Sequence, residues 1–411
     1  MHPALPAARP APATTGLAVS PRWGPVIALA GLHGAVTLAW VVYNLYLGAL
    51  LLRAGFEAYL VPVLLTVDGL LGAVIEPLTG ALSDRARRGL FRRFFLLMGG
   101  VLLAGILFIS LPLAAAGTRP GPATLVPGLL VAWAVAMAVF RAPALSLLGR
   151  HARPGALPLA AAVLTSASAL VGAAAPSVRG WLLARGPLVT FAGASVTLLL
   201  AALVVRGLEV RLPPPSPGAA PRAPVGRAEP RAAWTLFGVG ISAALGFRLL
   251  LDGLPRAGAG PGASAADLSR ALFLGTALAA VPLGRLALGR TGGGPVTAGG
   301  LVVLIVGTAV APLLDGPGPV LPCSALLGAA VAAVQSGLFA TSLSAVPVDR
   351  AGLGMGLLLG GGGLALGLFN LLLAVRKLAP ASALLAAAGC YALTLLLLGG
   401  IRRDLRADVP A

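Results

Sequence analysis

The feature that most limits this chain is a series of twelve apolar segments, each long enough to cross a bilayer, with most of the charge confined to the short connections between them. The segments lie at about 24–48, 59–83, 91–116, 122–149, 157–183 and 187–206, then at about 233–255, 264–288, 295–314, 319–346, 351–375 and 381–400. Crossing the hydrocarbon core takes about 20 predominantly apolar residues in a helix. With 58% hydrophobic and 10% charged residues, against about 25% charged in ordinary soluble domains, the chain would aggregate as a soluble globule. A mean hydropathy of +0.96 also excludes a disordered chain, a secreted disulfide scaffold and a conventional cytosolic enzyme. The two cysteines, Cys323 and Cys390, sit inside apolar runs, so neither a disulfide framework nor a metal cluster is expected and no cofactor is implied.

The order is six segments, a linker, six segments. Residues 1–22 are rich in Pro and Ala with no apolar stretch ahead of a cleavage site, so they read as a disordered cytoplasmic tail and not a signal peptide. Residues 23–206 form the first six-helix half, 207–232 a Pro- and Arg-rich cytoplasmic linker, 233–401 the second half and 402–411 a second tail. A formal charge of +18 is a membrane-topology signal here, not a nucleic-acid footprint, because the arginines fall between apolar runs. With the N-terminus inside, twenty Lys and Arg lie on the cytoplasmic side and eight on the other, which places both termini in the cytoplasm. Arg376 and Lys377 fit that count poorly. The expected fold class is an all-α polytopic membrane protein of twelve transmembrane helices in two six-helix halves.

The second segment ends in Gly80-Ala-Leu-Ser-Asp84-Arg85-Ala-Arg87-Arg88-Gly89, with Arg92 and Arg93 just beyond. This resembles the loop signature of the major facilitator superfamily, Gly-x-x-x-Asp-Arg-x-Gly-Arg-Arg, which lies between helices 2 and 3. A small Gly80 allows close helix approach, and Asp84 can accept from a helix N-terminus or pair with an arginine. A degenerate echo, Gly284-Arg285-Leu-Ala-Leu288-Gly289-Arg290, follows the eighth segment, where parallel six-helix repeats place it, with Leu288 in the position of the acid. A narrower resemblance, over about 50 residues of the first two segments, is to the glycoside-pentoside-hexuronide sugar:cation symporters and the related proton-coupled sucrose transporters. It rests on Trp40-Val-Val-Tyr43-Asn44-Leu-Tyr46 and on Asp68-Gly-Leu-Leu-Gly72-Ala-Val-Ile-Glu76-Pro77-Leu-Thr-Gly80. Arg141-Ala-Pro143-Ala-Leu-Ser-Leu is similar to their helix 4, although the acid that should follow is missing before Arg150. The superfamily resemblance implies a central cavity lined by helices 1, 4, 7 and 10.

Ionisable groups inside a bilayer cost a few kcal/mol each, so each needs a partner, a cavity or a function. His33, Thr37, Trp40 and Asn44 fall within about 60 degrees of one another on a helix and form one polar stripe. Arg141, Arg248 and Gln335 lie on the segments the resemblance assigns to the cavity. No acid shares the helix of Arg141, which favours a cavity position; Arg248 has Asp252 one turn on and can pair with it locally. Asp68 and Glu76 share the second segment about 80 degrees apart. Glu76 stands directly before a Pro-x-x-Gly, where Pro77 frees a backbone carbonyl and a hydrated pocket would let the carboxyl hold a coupling proton; Asp68 can be such a site or a structural pair. The expected pathway is therefore His33, Trp40, Asn44, Asp68, Glu76, Arg141, Arg248 and Gln335, with Gly80, Asp84 and Arg85 as the gating loop. In the eleventh segment Gly356/Gly360 and Gly363/Gly367 read as close helix packing or as a point of flexing. Gly172-Ala-Ala-Ala-Pro176 in the fifth partly resembles the Gly-Pro motif of proton-driven drug antiporters, with Ala175 before the proline.

The expected function is secondary active transport, not catalysis, by alternating access in the cell inner membrane: symport of a sugar or similar small polar solute with a proton or sodium ion. The alternative is a proton-coupled exporter of amphipathic or drug-like compounds, whose cavity is largely apolar around Glu76 and Arg141. A third reading is a transporter-like scaffold or sensor without flux. The expected partners are a small-molecule substrate, the coupling ion and the lipid bilayer, with a monomer as the working unit and no nucleic acid.

Overall fold

The computed structural model describes residues 21–85, 90–116, 125–211, 230–260, 262–288, 294–314, 316–375 and 378–407. Most of the first tail and of the 207–232 linker and the last four residues of the second tail, together with Arg87, Arg88, Gly89, Gly289, Arg290, Arg376 and Lys377, lie outside the described residues, as do the side chains of Arg92 and Arg93.

Among the described residues twelve helices are long and apolar enough to cross a membrane. They are α1 (Trp23–Arg53), α2 (Leu60–Arg85), α3 (Leu90–Ala116), α4 (Leu125–Ser146), α6 (Leu157–Arg185), α7 (Pro187–Arg211), α8 (Pro230–Gly258), α9 (Ala265–Leu286), α10 (Gly294–Val310), α11 (Pro317–Ser344), α12 (Ala351–Val375) and α13 (Pro380–Ala407), with a short α5 (Leu148–His151) after α4. α7 runs on past the expected end at 206 and α8 begins inside the expected linker, because Arg and Glu residues extend a helix into water once its apolar turns have nucleated it. Successive long helices alternate in direction. One face of the bundle therefore carries the start of α1 and the ends of α2, α9 and α11; the opposite face carries the end of α1 and the start of α9.

Large apolar side chains such as Val74, Ile106, Leu278 and Leu396 remain exposed on the outside, as lipid contact requires. Inside, buried apolar residues gather in two main clusters. One is built largely from α1, α3, α4, α6 and α7 around Phe108, Trp133 and Phe191, with Ala340, Leu343, Ala351 and Met355 joining it from α11 and α12. The other is built from α8 to α13 around Leu250, Leu304 and Tyr391.

Two glycine-lined seams join the clusters. Along α2 and α12 the backbones touch. A Cβ on Gly80 would strike the carbonyl of Gly352, one on Gly356 would strike the carbonyl of Glu76 and Pro77, and one on Gly360 would meet Pro77 Cδ at 2.8 Å. Farther along, a Cβ on Gly363 would lie 3.0 Å from the Gly69 carbonyl and one on Gly367 would lie 3.1 Å from that of Thr66. Both Gly-x-x-x-Gly pairs of α12 are thus spent on close packing against α2. Along α6 and α9, a Cβ on Gly284 would lie 3.0 Å from Leu159 Cα, Ser166 Oγ donates to the Ala277 carbonyl at 2.8 Å, and Gly172 accommodates the Phe273 ring.

A side chain forced into a backbone contact of this kind costs about 1–3 kcal/mol as overpacking. Gly356→Val is expected to lower the melting temperature of the purified protein by several degrees, whereas Gly193→Val, on the open outer side of α7 where a Cβ meets nothing within 4 Å, leaves it unchanged. Equal melting temperatures for the two variants would contradict the seam.

Candidate functional site

Between the clusters lies a cavity of about 930 Å³, at the upper end of the roughly 300–1,000 Å³ typical of small-molecule sites. Its walls come from α1, α2, α4, α6 and α8 to α13. At one end it reaches Arg141, Phe339 and Leu359; at the other it extends to Leu182 and Ala266, toward the face where α1 ends and α9 begins. The opposite face is closed by the seams. There both carboxylate oxygens of Asp84 accept from the first free amides of α12, Gly352 N–H at 2.9 Å and Leu353 N–H at 2.8 Å. An anion at a helix N-terminus satisfies otherwise unpaired donors and the helix dipole together. Gly80 makes the close approach possible, and Arg85 is exposed at the end of α2.

Of the eight expected pathway residues, the structure brings His33, Trp40, Asn44, Arg141, Arg248 and Gln335 to the cavity wall. The polar residues there divide into two groups. Thr37, Asn44, Ser168 and Asn370 donate to carbonyls of their own helices, those of His33, Trp40, Thr165 and Leu366, at 2.7–3.0 Å. His33 meets Phe339 edge-on at 5.8 Å. Among the described residues Gln335 and Arg248 make no hydrogen bond or ion pair, and neither does Arg179, near the open end. Arg141 lies within electrostatic range of both His33 and Arg248. Among the described residues three arginines line the cavity, and no Asp or Glu does. The rest of the wall is largely apolar, with Phe247, Phe273, Phe339 and Phe369 prominent.

The other two expected residues sit behind that wall, and here the sequence-based reading needs correction. Glu76 is 2% exposed and meets the Arg141 guanidinium at 3.2 Å, so Arg141 does have a close carboxylate, supplied by α2 and not by its own helix. The place of the pocket expected beside Pro77 is taken by α12: the Ala73 carbonyl faces Gly360 across the α2–α12 seam, where a Cβ on Gly360 would lie 3.1 Å from it. Asp252 pairs with Arg256 one turn on, not with Arg248, because Arg248 is turned into the cavity and Arg256 is anchored beside Asp252 by the Leu378 carbonyl.

Asp68 is buried and accepts the Tyr43 hydroxyl at 2.7 Å through Oδ2, while Oδ1 has no partner among the described residues. Tyr43 is itself held by stacking on Trp133 at 4.5 Å, and Trp133 on Phe108 at 4.7 Å. Sequence reasoning missed that clamp, as it missed Arg179, the ring of phenylalanines and the buried His151–Glu209 contact that Arg150 completes at 2.9 Å. Each joins residues more than twenty positions apart or depends on which way one helix face turns.

No protein-family model matches the chain, and no curated protein sequence does. Among solved structures it is similar to the human organic anion transporter MFSD10 (TETRAN), with 18% identity and a TM-score of 0.63 over 92% of this chain and 100% of that one. It is also similar to the major facilitator superfamily transporter FucP in the outward conformation, with 13% identity and a TM-score of 0.66 over 94% of this chain and 99% of that one. The chain has the twelve-helix major facilitator fold.

Removing one partner of a buried polar pair costs about 1–3 kcal/mol, while removing both can be nearly neutral. Tyr43→Phe is expected to lower the melting temperature by several degrees and Tyr43→Phe with Asp68→Leu to recover most of the loss. A double variant less stable than Tyr43→Phe alone would show that Asp68 has a partner other than Tyr43.

Proposed function

We propose that this protein is a secondary active transporter that carries amphipathic organic anions through the central cavity by alternating access. One observation carries the substrate class: Arg141, Arg179 and Arg248 face the cavity, no carboxylate does among the described residues, and the surrounding wall is largely apolar. Cationic groups in a low-dielectric cavity attract an anion strongly and repel a cation. A carboxylate or sulfonate on an aromatic or aliphatic body meets both demands, with Arg248 and Gln335 free to bind the head group and the phenylalanines to cover the body. A sugar, the leading expectation from the sequence, suits the site less well, because the side chains of Thr37, Asn44, Ser168 and Asn370 are engaged by their own helices. The apolar cavity around Arg141 is closer to the amphipathic alternative. The solved structure described as an organic anion transporter supports that class.

Taking the arginine-rich face as cytoplasmic places the closed seams inside and the open end of the cavity outside, an outward-facing state of a multi-pass protein in the cell inner membrane. The similarity to FucP in its outward conformation supports that orientation. Transport then requires the Asp84–α12 contact to break as the cavity mouth shuts.

The test is uptake into proteoliposomes under an imposed pH gradient, comparing 2-naphthoate, its neutral isostere 2-naphthamide, a labelled hexose and a cationic dye. Uptake of 2-naphthoate alone is expected. Arg248→Gln, which removes a charged hydrogen bond worth about 1.5–3 kcal/mol, is expected to weaken it roughly tenfold to a hundredfold. Uptake of the hexose or the dye without 2-naphthoate would overturn the reading.

A further inference from the structure

We infer that Arg141 is shared between Glu76 and the transported anion: the bound anion takes the guanidinium over, Glu76 then accepts a proton, and the two load together. The inference rests on the organic-anion reading above and adds the means by which binding is tied to the proton gradient.

The geometry of one ion pair leads there. Arg141 lines the cavity with its side chain 25% exposed, whereas Glu76, 2% exposed, lies behind it and is not part of the cavity wall among the described residues. Glu76 Oε1 meets Arg141, and Oε2 is buried with no partner among the described residues. A carboxylate so placed has one source of charge compensation. α12 packs on the backbone of Glu76 through Gly356 and on Pro77 through Gly360, and that helix carries no titratable residue from Ala351 to Val375. From α4 it faces Arg141, the only titratable residue of that helix. On its own helix Asp68 and Asp84 are turned to Tyr43 and to the α12 amides. His33 of α1 and Arg248 of α8 lie within range of Arg141, on its cavity side.

An anion entering the cavity meets Arg248, which has no partner among the described residues, and then Arg141, which has one. If its head group draws Arg141 away, Glu76 is left as a buried carboxylate with no cation, a strongly unfavourable state. Taking one proton from cavity water onto Glu76 removes that charge. The site loses one negative charge at Glu76 and gains one on the ligand, so its net charge is unchanged. Conversely, a deprotonated Glu76 reclaims Arg141 and expels the anion. Linkage makes the two effects reciprocal: the anion raises the affinity of Glu76 for a proton by the factor by which the proton raises the affinity for the anion.

The test uses the full-length wild-type protein in detergent and 2-naphthoate as the probe. Binding is followed by calorimetry, and proton uptake by an indicator dye in weak buffer. Uptake approaching one proton per bound anion is expected. Over the pH range in which the empty carrier keeps Glu76 ionised, the Kd should rise by about tenfold per pH unit, since binding consumes a proton. Glu76→Gln is expected to bind 2-naphthoate at high pH as tightly as the wild type does at low pH, with no proton uptake, and to retain counterflow exchange while losing gradient-driven accumulation. His33→Gln is expected to keep the uptake. Binding without proton uptake in the wild type, or uptake lost in His33→Gln and kept in Glu76→Gln, would overturn the inference while leaving the anion site standing. No binding of 2-naphthoate at any pH would instead overturn the anion reading itself.

Discussion

A charge inside a bilayer must be paired or wet, and nearly every charged side chain described within these helices obeys one of the two conditions. Glu76 and Arg141 pair across α2 and α4, and Asp252 and Arg256 pair near the end of α8. Glu209 takes both His151 and Arg150 at the end of α7. Arg248 and Arg179 take the other solution and face the cavity. Asp68 meets neither condition and is held by a tyrosine hydroxyl. Among the described residues the cavity is thus the place where cations are left without anions, and the proposed preference for an anion rests on that imbalance.

The glycine seam of α2 and α12 gives the imbalance its shape. Gly356 and Gly360 bring α12 onto the backbone of Glu76 and Pro77, and the Glu76 carboxylate, 2% exposed, meets Arg141 on the side of the cavity. The same seam brings Asp84 to the N-terminus of α12. Closure of one face and isolation of Glu76 therefore share a cause. A bundle with larger residues along α12 would lose both.

Much of this is legible in the sequence, for identifiable reasons. Twelve apolar runs are a one-dimensional signal, and a helix has a fixed period, so spacing alone puts the stripe of His33, Thr37, Trp40 and Asn44 on one side of α1. All four residues line the cavity. The glycines at Gly80, Gly356 and Gly360 are legible as packing sites because nothing else suits backbone contact between helices. Which helices meet is not legible. Arg141 looks unpaired in the sequence because its carboxylate comes from α2, and the packing of α12 on Pro77 is equally invisible there. Arg248 looks paired because Asp252 is one turn away along the chain, whereas rotation of α8 turns Arg248 inward and leaves Asp252 to Arg256. A helical wheel gives relative angles within one helix and says nothing of the rotation of the whole.

The central claim is that one face of the bundle shuts as the other opens around an anion. The most direct measurement is the distance between pairs of spin labels in the full-length protein, one pair across the mouth at positions 183 and 265, the other across the closed face at 153 and 286. Adding 2-naphthoate at low pH should shorten the first distance and lengthen the second, with both changes absent in Arg248→Gln. Two distances that do not change, or that shorten together, would contradict alternating access in this protein.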